Sequence, residues 1–471
     1  MLNRLEKLAV TLTTIAAMTM TGCGKVSPNG AANRLMGSAS AASKANGFLW
    51  GVSTAGYQYE GNDNTSNWAA WDKAGKTVER NLKAADGLHM YKTDIELTQG
   101  LGCNAFRTSI EWGRIEPVEG TIDPQAVAYY HDMLREMHAH GQTPVITLHH
   151  FSHPQWVAEQ GGWENKETAQ KFARFAGFCA KEFGADVDTW LTFNEPNVYL
   201  AGAYLAGGMP PGKKNPIAAF IATKNLIKGH KLAYAAIHAN DSNAKVSFNW
   251  YTAEWALRSV MADNNQTEGE KAIGSDNWML DEAVKSDDNG GRTLDFVAID
   301  YYCKLSVANV LNLPRQDKWT VYPEGMYNAL KRFNKRYNLP VLVAENGVAT
   351  WDHTKRADGW NRASYTVAHV AQMQRAINEG VPVMGYIQWS ITDNYEWGTF
   401  SPCFGLYRVE CRNQNFTRVP TEGVQAFKDI IANGGTNQAM LAKYLPGTTG
   451  GINIPVPVAG NGSHGSSVNG W

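Results

Sequence analysis

Charge of one sign is missing from this chain: Lys and Arg number 43 and Asp and Glu 44, a formal net charge of −1. Such a balance creates no global field to draw in nucleic acid or anionic lipid. Long apolar runs are missing too. The run at 8–20 is too short to cross a bilayer, and no later stretch approaches the length required. Cysteine is scarce, with six residues, and no glycine-rich phosphate fingerprint follows the first apolar strand, which argues against a doubly wound dinucleotide fold. What remains is ordinary globular composition over 471 residues, 44% hydrophobic and 18% charged. That length suits one large (β/α) barrel as well as several small domains. Sixteen Trp residues are a heavy allotment, fitting either flat platforms for ligand rings or a large core.

The first 23 residues read as a targeting segment: Arg4 and Lys7 precede the apolar run, and Met20-Thr21-Gly22-Cys23 follows it. This resembles the lipobox of bacterial lipoproteins, with Met where Leu is usual. It implies an exported chain held at the cell envelope, periplasmic or surface, by a lipid on Cys23. Residues 24–46, rich in Gly, Ser, Ala and Asn, read as a flexible tether, and 446–471 as a disordered low-complexity tail. Without Cys23 an odd five cysteines remain, of which Cys403 and Cys411 are close enough in sequence for one bridge; five free thiols fit equally.

Between 47 and 445 short apolar runs alternate with stretches of helical period. Strands are expected at 48–55, 104–112, 143–151, 189–196, 245–252, 295–302, 340–347 and 383–390. Runs such as Pro340-Val-Leu-Val-Ala344 are apolar on both faces, as buried parallel strands require. Helices are expected at 126–140, stopping at Gly141, and at 166–183, stopping at Gly184. Eight β-then-α units predict an α/β chain closed as a single (β/α)8 TIM barrel.

In such barrels the chemistry sits at the C-terminal ends of the strands. Reactive residues cluster there: Gln58 and Glu60 after strand one, Arg107 and Glu111 on strand two, His149, His150 and His153 after strand three, and Asn194 and Glu195 on strand four. Asp300 and Tyr302 end strand six, Glu345 ends strand seven, and Trp389, Asp393, Glu396 and Trp397 follow strand eight. Glu195 and Glu345 each close a nearly apolar strand beside an Asn. Cleaving a glycosidic bond needs such a pair, one to protonate the leaving oxygen and one to attack or stabilise the anomeric carbon; about 5–5.5 Å between them gives retention. Arg107 and Tyr302 are the candidates to hold Glu345 ionised, while burial and the nearby negative charge would keep Glu195 protonated.

Four ordered motifs carry a family resemblance. Phe48-Leu-Trp-Gly51 with Thr54-Ala-Gly-Tyr-Gln-Tyr-Glu-Gly61, Thr192-Phe-Asn-Glu-Pro196, Ala344-Glu-Asn-Gly347 and Trp389-Ser-Ile-Thr-Asp-Asn-Tyr-Glu-Trp397 together resemble glycoside hydrolase family 1 across roughly 47–430. The resemblance implies a retaining β-glycosidase, a β-glucosidase with β-galactosidase or β-fucosidase activity, acting at the non-reducing end of β-glycosides without a cofactor. It implies Glu195 as acid/base, Glu345 as nucleophile, and Gln58, His150, Asn194, Glu396 and Trp397 as ligands of sugar hydroxyls over a Trp389 floor.

Three departures from the family pattern stand out. Asp300 replaces the Asn usual before Tyr301-Tyr302, and close to Glu195 it would raise the acid's pKa and the pH optimum. The 150 positions between the two Glu residues are compact for the family, which implies short loops after strands four to six and a more open aglycone region. Phe151-Ser152 stands where Trp and Asp are more usual, so altered aglycone contacts are expected.

Competing readings are a metal site at the three histidines, whose spacing fits no zinc motif; a phosphorylated glycoside, disfavoured by the charge of Glu396; a transglycosylase sharing the covalent intermediate; and a non-catalytic carbohydrate-binding surface protein.

Overall fold

The computed structural model describes residues 47–255, 277–285, 291–305 and 315–445. The leader at 1–23, the tether at 24–46 and the tail at 446–471 lie outside the described residues, as do 256–276, 286–290 and 306–314 within the connections after strands five and six, part of the stretch after strands four to six where short loops are expected.

Nine strands lie in one parallel sheet: β1 Leu49–Ser53, β2 Ala105–Ser109, β3 Thr143–Thr147, β4 Thr189–Leu191, β5 Lys245–Ser247, β6 Asn249–Trp255, β7 Val297–Leu305, β8 Val341–Asn346 and β9 Val383–Trp389. The order runs β5-β4-β3-β2-β1-β9-β8-β7-β6, every neighbour parallel. The two ends of that order, β5 and β6, are consecutive in the chain and separated only by Phe248. They are two halves of one kinked strand, so the sheet closes on itself. Across the kink Asp295 donates its N–H to the Val246 carbonyl at 3.0 Å, and the Ser247 hydroxyl to the Phe296 carbonyl at 2.7 Å. Eight barrel strands therefore result, the fifth of them interrupted. The fold is a (β/α)8 TIM barrel.

Eight helices follow the strands in turn: α1 Gly87–Leu101, α2 Pro124–Ala139, α3 Thr168–Phe183, α4 Pro216–Asn240, α5 Trp278–Val284, α6 Glu324–Tyr337, α7 Arg362–Asn378 and α8 Glu422–Asn433. Helix α2 begins two residues before the apolar period does, because Asp123 caps it through the Gln125 and Ala126 amides and Pro124 supplies a preset φ. Ala105, Val145, Leu191, Phe296, Ala298, Leu342, Ala344 and Ile387 fill the barrel interior. A second layer between sheet and helices takes Trp50, Trp112, Trp163, Trp190 and Trp250, so five of the sixteen tryptophans are spent on this core. Helix α3 contributes Phe172, Phe175 and Phe183 to it from one face.

Several expected strands end earlier than their apolar sequence. Regular pairing of β4 stops at Leu191, yet the chain stays tied: Asn194 donates its N–H to the His149 carbonyl at 2.8 Å and Glu195 to that of Asn249 at 3.0 Å. The tips thus leave the ladder while remaining fixed, which frees their side chains to turn inward. At the tip of β8 a Cβ on Gly347 would lie 2.0 Å from the Trp389 carbonyl oxygen, so the close approach of the β8 and β9 tips requires glycine there.

No disulfide joins Cys403 and Cys411. Both are free and buried, as are Cys103, Cys179 and Cys303, and the Cys403 thiol is 3.3 Å from the Ser401 carbonyl.

Candidate active site

Glu345 ends β8 and is buried at the centre of the strand tips. One oxygen takes a hydrogen bond from Arg107, and the other takes one from the Tyr302 hydroxyl at 2.5 Å. Arg107 rises from β2 with no solvent exposure and spans the barrel mouth. Its remaining N–H groups donate to the Ala344 carbonyl at 3.3 Å, the Thr147 hydroxyl at 3.3 Å and Asn194 Oδ1 at 2.8 Å. One guanidinium therefore fixes residues of β2, β3, β8 and the tip beyond β4. Its rigid fork suits that task in a way a lysine could not.

Glu195 sits where β4 gives way to the short helix Pro196–Leu200, with φ +36° in the left-handed region. A non-glycine residue in that region costs of order 1–3 kcal/mol, and such positions gather at functional sites. One carboxylate oxygen from each of Glu195, Asp300 and Glu345 lies within 4.8 Å of the others. Oxygens that close place the pair on the side of the short separation, about 5–5.5 Å, that suits a covalent glycosyl intermediate, and away from the wider gap of an inverting pair. Burial pushes the Glu195 carboxyl well above the usual carboxylate range; the charges of Asp300 and Glu345 push the same way and Arg107 opposes them.

Around this pair stand the other expected residues. Trp389 ends β9 and donates its indole N–H to Glu396 at 3.2 Å. His150 lies nearly parallel to Trp389 and to Trp397, ring centres 6.0 and 5.8 Å away, and burial holds it neutral. Its Nδ1 has no partner, and neither has Oε1 of Gln58, whose Nε2 donates to Asn394 at 3.2 Å. Buried polar atoms without partners are uncommon, so these two mark places a polar ligand would satisfy. Asn194 Oδ1 receives Arg107 and Asn249, which turns its amide N–H groups away from them.

Burial pushes the Glu396 carboxyl up to about 8. This shifts it toward the neutral acid near neutral pH, which weakens charge repulsion at Glu396 as an argument against a phosphorylated glycoside. Its neutral form can donate as well as accept. Glu396→Ala is expected to lower kcat/KM roughly 10- to 100-fold, the worth of a hydrogen bond to an ionisable partner, while Glu396→Gln, which mimics the protonated acid, loses less below pH 8. Rates of aryl glycoside hydrolysis by the two variants measure the difference.

Phe151 and Ser152 both meet protein groups. Phe151 packs against Trp397 with ring centres 4.9 Å apart and against Tyr199, so it backs the tryptophan expected to meet the sugar. Ser152 bonds to buried Glu111. The three histidines do not converge: His149 Nε2 accepts from Trp163 at 3.1 Å, whereas His150 stacks toward Trp389. Asn249, which donates to both Asn194 and Asp300, was not anticipated. The strand-tip rule would have found it had it been applied to the fifth strand as to the others.

Among the described residues two groups could converge on a cation, Glu195–Asp300–Glu345 and His353–Asp393–Cys403. Arg107 already serves the first. In the second, Asp393 accepts the Gly405 and Val409 amides at 2.9 and 3.2 Å, with Arg362 at 3.9 Å. A resident cation occupies each neighbourhood as a side chain.

Comparison with known proteins agrees with this geometry. The family described as glycosyl hydrolase family 1 matches residues 41–293 and 303–436. Beta-glucosidase A of Thermotoga maritima is 31% identical over 83% of this chain and 98% of its own, and the beta-galactosidase of Pyrococcus woesei 28% over 85% and 99%. Among solved structures, the Thermotoga maritima beta-glucosidase in complex with castanospermine superposes with a TM-score of 0.71 at 28% identity, covering 83% of this chain and 98% of that one.

Proposed function

From its membership of glycosyl hydrolase family 1, which makes this chain a retaining glycoside hydrolase acting on a small-molecule glycoside, we propose a β-glucosidase that also accepts β-galactosides, with Glu345 as nucleophile and Glu195 as acid/base. The observation that carries this is the pair of buried carboxyls with an oxygen of each within 4.8 Å of the other, only one of which is held by a guanidinium and a phenol. Glu345 attacks the anomeric carbon as the glycosidic C–O bond breaks and Glu195 protonates the departing oxygen. Water then attacks the same carbon, the Glu345 ester bond breaks, and the water's proton goes to Glu195.

Gln58, His150, Asn194, Glu396 and Trp397 bind the hydroxyls of the sugar, whose C–H face lies on Trp389. The unpartnered atoms of Gln58 and His150 support this reading, as does the indole of Trp389 at the mouth. Gln58 and Glu396 are both able to bond a hydroxyl in either orientation at the 4-position, which supports dual gluco and galacto specificity. A screen of nitrophenyl β-glycosides tests the assignment: turnover of both epimers is expected, and inertness to every β-glycoside defeats it.

The enzyme is further proposed to work at the cell envelope, with a lipid on Cys23. Support comes from the basic start, the apolar run and the Met20-Thr21-Gly22-Cys23 sequence. Radiolabelled fatty acid should enter the wild-type chain in its host and not Cys23→Ser.

A further inference from the structure

The turn that carries Glu396 and Trp397 is gripped from outside by a carboxylate. Glu79 lies in the loop after the helix Asn67–Lys73, and both its main chain and its side chain meet this turn. Its N–H donates to the Gly398 carbonyl at 2.9 Å, and its carbonyl accepts the Tyr395 hydroxyl at 2.5 Å. One carboxylate oxygen accepts the Thr399 hydroxyl at 2.6 Å, the Phe400 N–H at 2.8 Å and Arg412 Nη2 at 3.0 Å; the other accepts Arg412 Nε. Tyr395, Gly398, Thr399 and Phe400 are thus tied to one residue, 316 positions before the first of them. Resting on the sugar contact proposed above for Glu396, we infer that Glu79 is a positioning residue for specificity, its carboxylate fixing the turn that presents Glu396 to the 4-hydroxyl of the sugar.

The turn has a shape that needs such a grip. Trp397 has φ +48° and Gly398 φ +125°, two left-handed residues in a row, and Glu396 donates its N–H to the Thr399 carbonyl at 2.9 Å. A tryptophan in the left-handed region persists where its surroundings over-determine it. Glu79 supplies bonds on both sides of it, to Tyr395 before and to Gly398, Thr399 and Phe400 after. The grip is itself anchored. Buried Asp72 accepts the Thr77 hydroxyl at 2.6 Å, Arg80 Nε at 2.8 Å and the Asn81 N–H at 3.3 Å, which fixes the chain on either side of Glu79. Asn81 in turn donates to the Tyr57 carbonyl at 2.7 Å, and the Tyr395 N–H to the Gln58 carbonyl at 2.9 Å. Gln58 and Glu396, the two groups proposed for the 4-hydroxyl, are therefore referred to the same loop. Burial alone would raise the Glu79 carboxyl, but hydrogen bonds from Arg412, Thr399 and the Phe400 amide outweigh it and bring it down to about 2, so this carboxylate is charged at any pH near neutrality. Arg107 and Tyr302, which hold Glu345, belong to β2 and β7, so loosening the turn leaves that carboxyl in place.

A cycle of variants read on two substrates decides it. Glu79→Ala, Glu396→Ala and the double variant are compared with wild type on a nitrophenyl β-glucoside and on its 4-deoxy analogue, which lacks the hydroxyl concerned. Glu79→Ala is expected to lower kcat/KM about 10-fold on the glucoside and about twofold or less on the 4-deoxy analogue. Added to Glu396→Ala it should cost little more, because groups that act through one another are not additive. Glu79→Gln, which keeps an acceptor for Thr399 and Phe400, should recover part of the loss. Equal losses on the two substrates, or additive losses in the double variant, overturn the inference and leave Glu79 a support of the fold alone. If Glu396→Ala discriminates between the substrates and Glu79→Ala does not, the role of Glu79 fails and the contact of Glu396 stands. If Glu396→Ala itself does not discriminate, that contact fails and the role of Glu79 falls with it. Should circular dichroism show Glu79→Ala unfolded, Glu79→Gln carries the same comparison with an expected loss of about threefold on the glucoside and none on the analogue; equal effects on both overturn the inference.

Discussion

Glu345→Ala is expected to lower kcat for aryl β-glucosides on the order of 10⁵-fold, because it removes the atom that would bond to the anomeric carbon and the proximity it supplies. Added azide should restore turnover through the space left behind. Azide would then attack from the face opposite the leaving group, and with no second displacement the product is an α-glycosyl azide. Alanine also leaves buried Arg107 without its carboxylate, a loss that costs about 3–5 kcal/mol when a buried pair is broken. Glu345→Gln keeps an acceptor for Arg107 and is the companion variant for separating chemistry from folding. Hydrolysis at wild-type speed by either variant would refute Glu345 as the nucleophile.

Glu195→Ala should fail in a different way. For glycosides with poor leaving groups the loss is about 10²–10⁴-fold, the usual contribution of a positioned general acid. For a dinitrophenyl aglycone, which leaves without protonation, the first step stays fast and the second slows for want of a base. A burst followed by accumulation of glycosyl-enzyme is the expected trace. Azide now attacks the covalent intermediate and the product is a β-glycosyl azide. The two rescue products are therefore opposite anomers. Identical anomers from the two variants would sink the division of labour between Glu195 and Glu345.

Much of this architecture was legible in the sequence because the physical signals were local. Pro340-Val-Leu-Val-Ala344 could only be a strand buried on both faces, and the reactive residues at one end of each such run marked the mouth of the barrel. The fifth strand shows where locality fails. Residues 245–252 read as one strand, and nothing in Phe248 announces the kink that divides β5 from β6, because the break arises from closing the ring. Asn249 acquires its place from that same kink. Phe151 shows a related limit. Its φ of +62° turns the chain immediately after His150, so a residue one position beyond a sugar ligand ends up behind Trp397. Asp300 lay the other way: its identity was visible as a departure, while its distance from Glu195 required the strands to be assembled.

Arg107 reaches groups 40, 87, 237 and 238 positions away along the chain. No half of the barrel contains all of them. Turnover is thus a yes-or-no gauge of whether the whole ring is closed: in a denaturant series, enzymatic rate should vanish together with the first loss of tertiary signal, and separately expressed front and back halves should stay silent until they recombine.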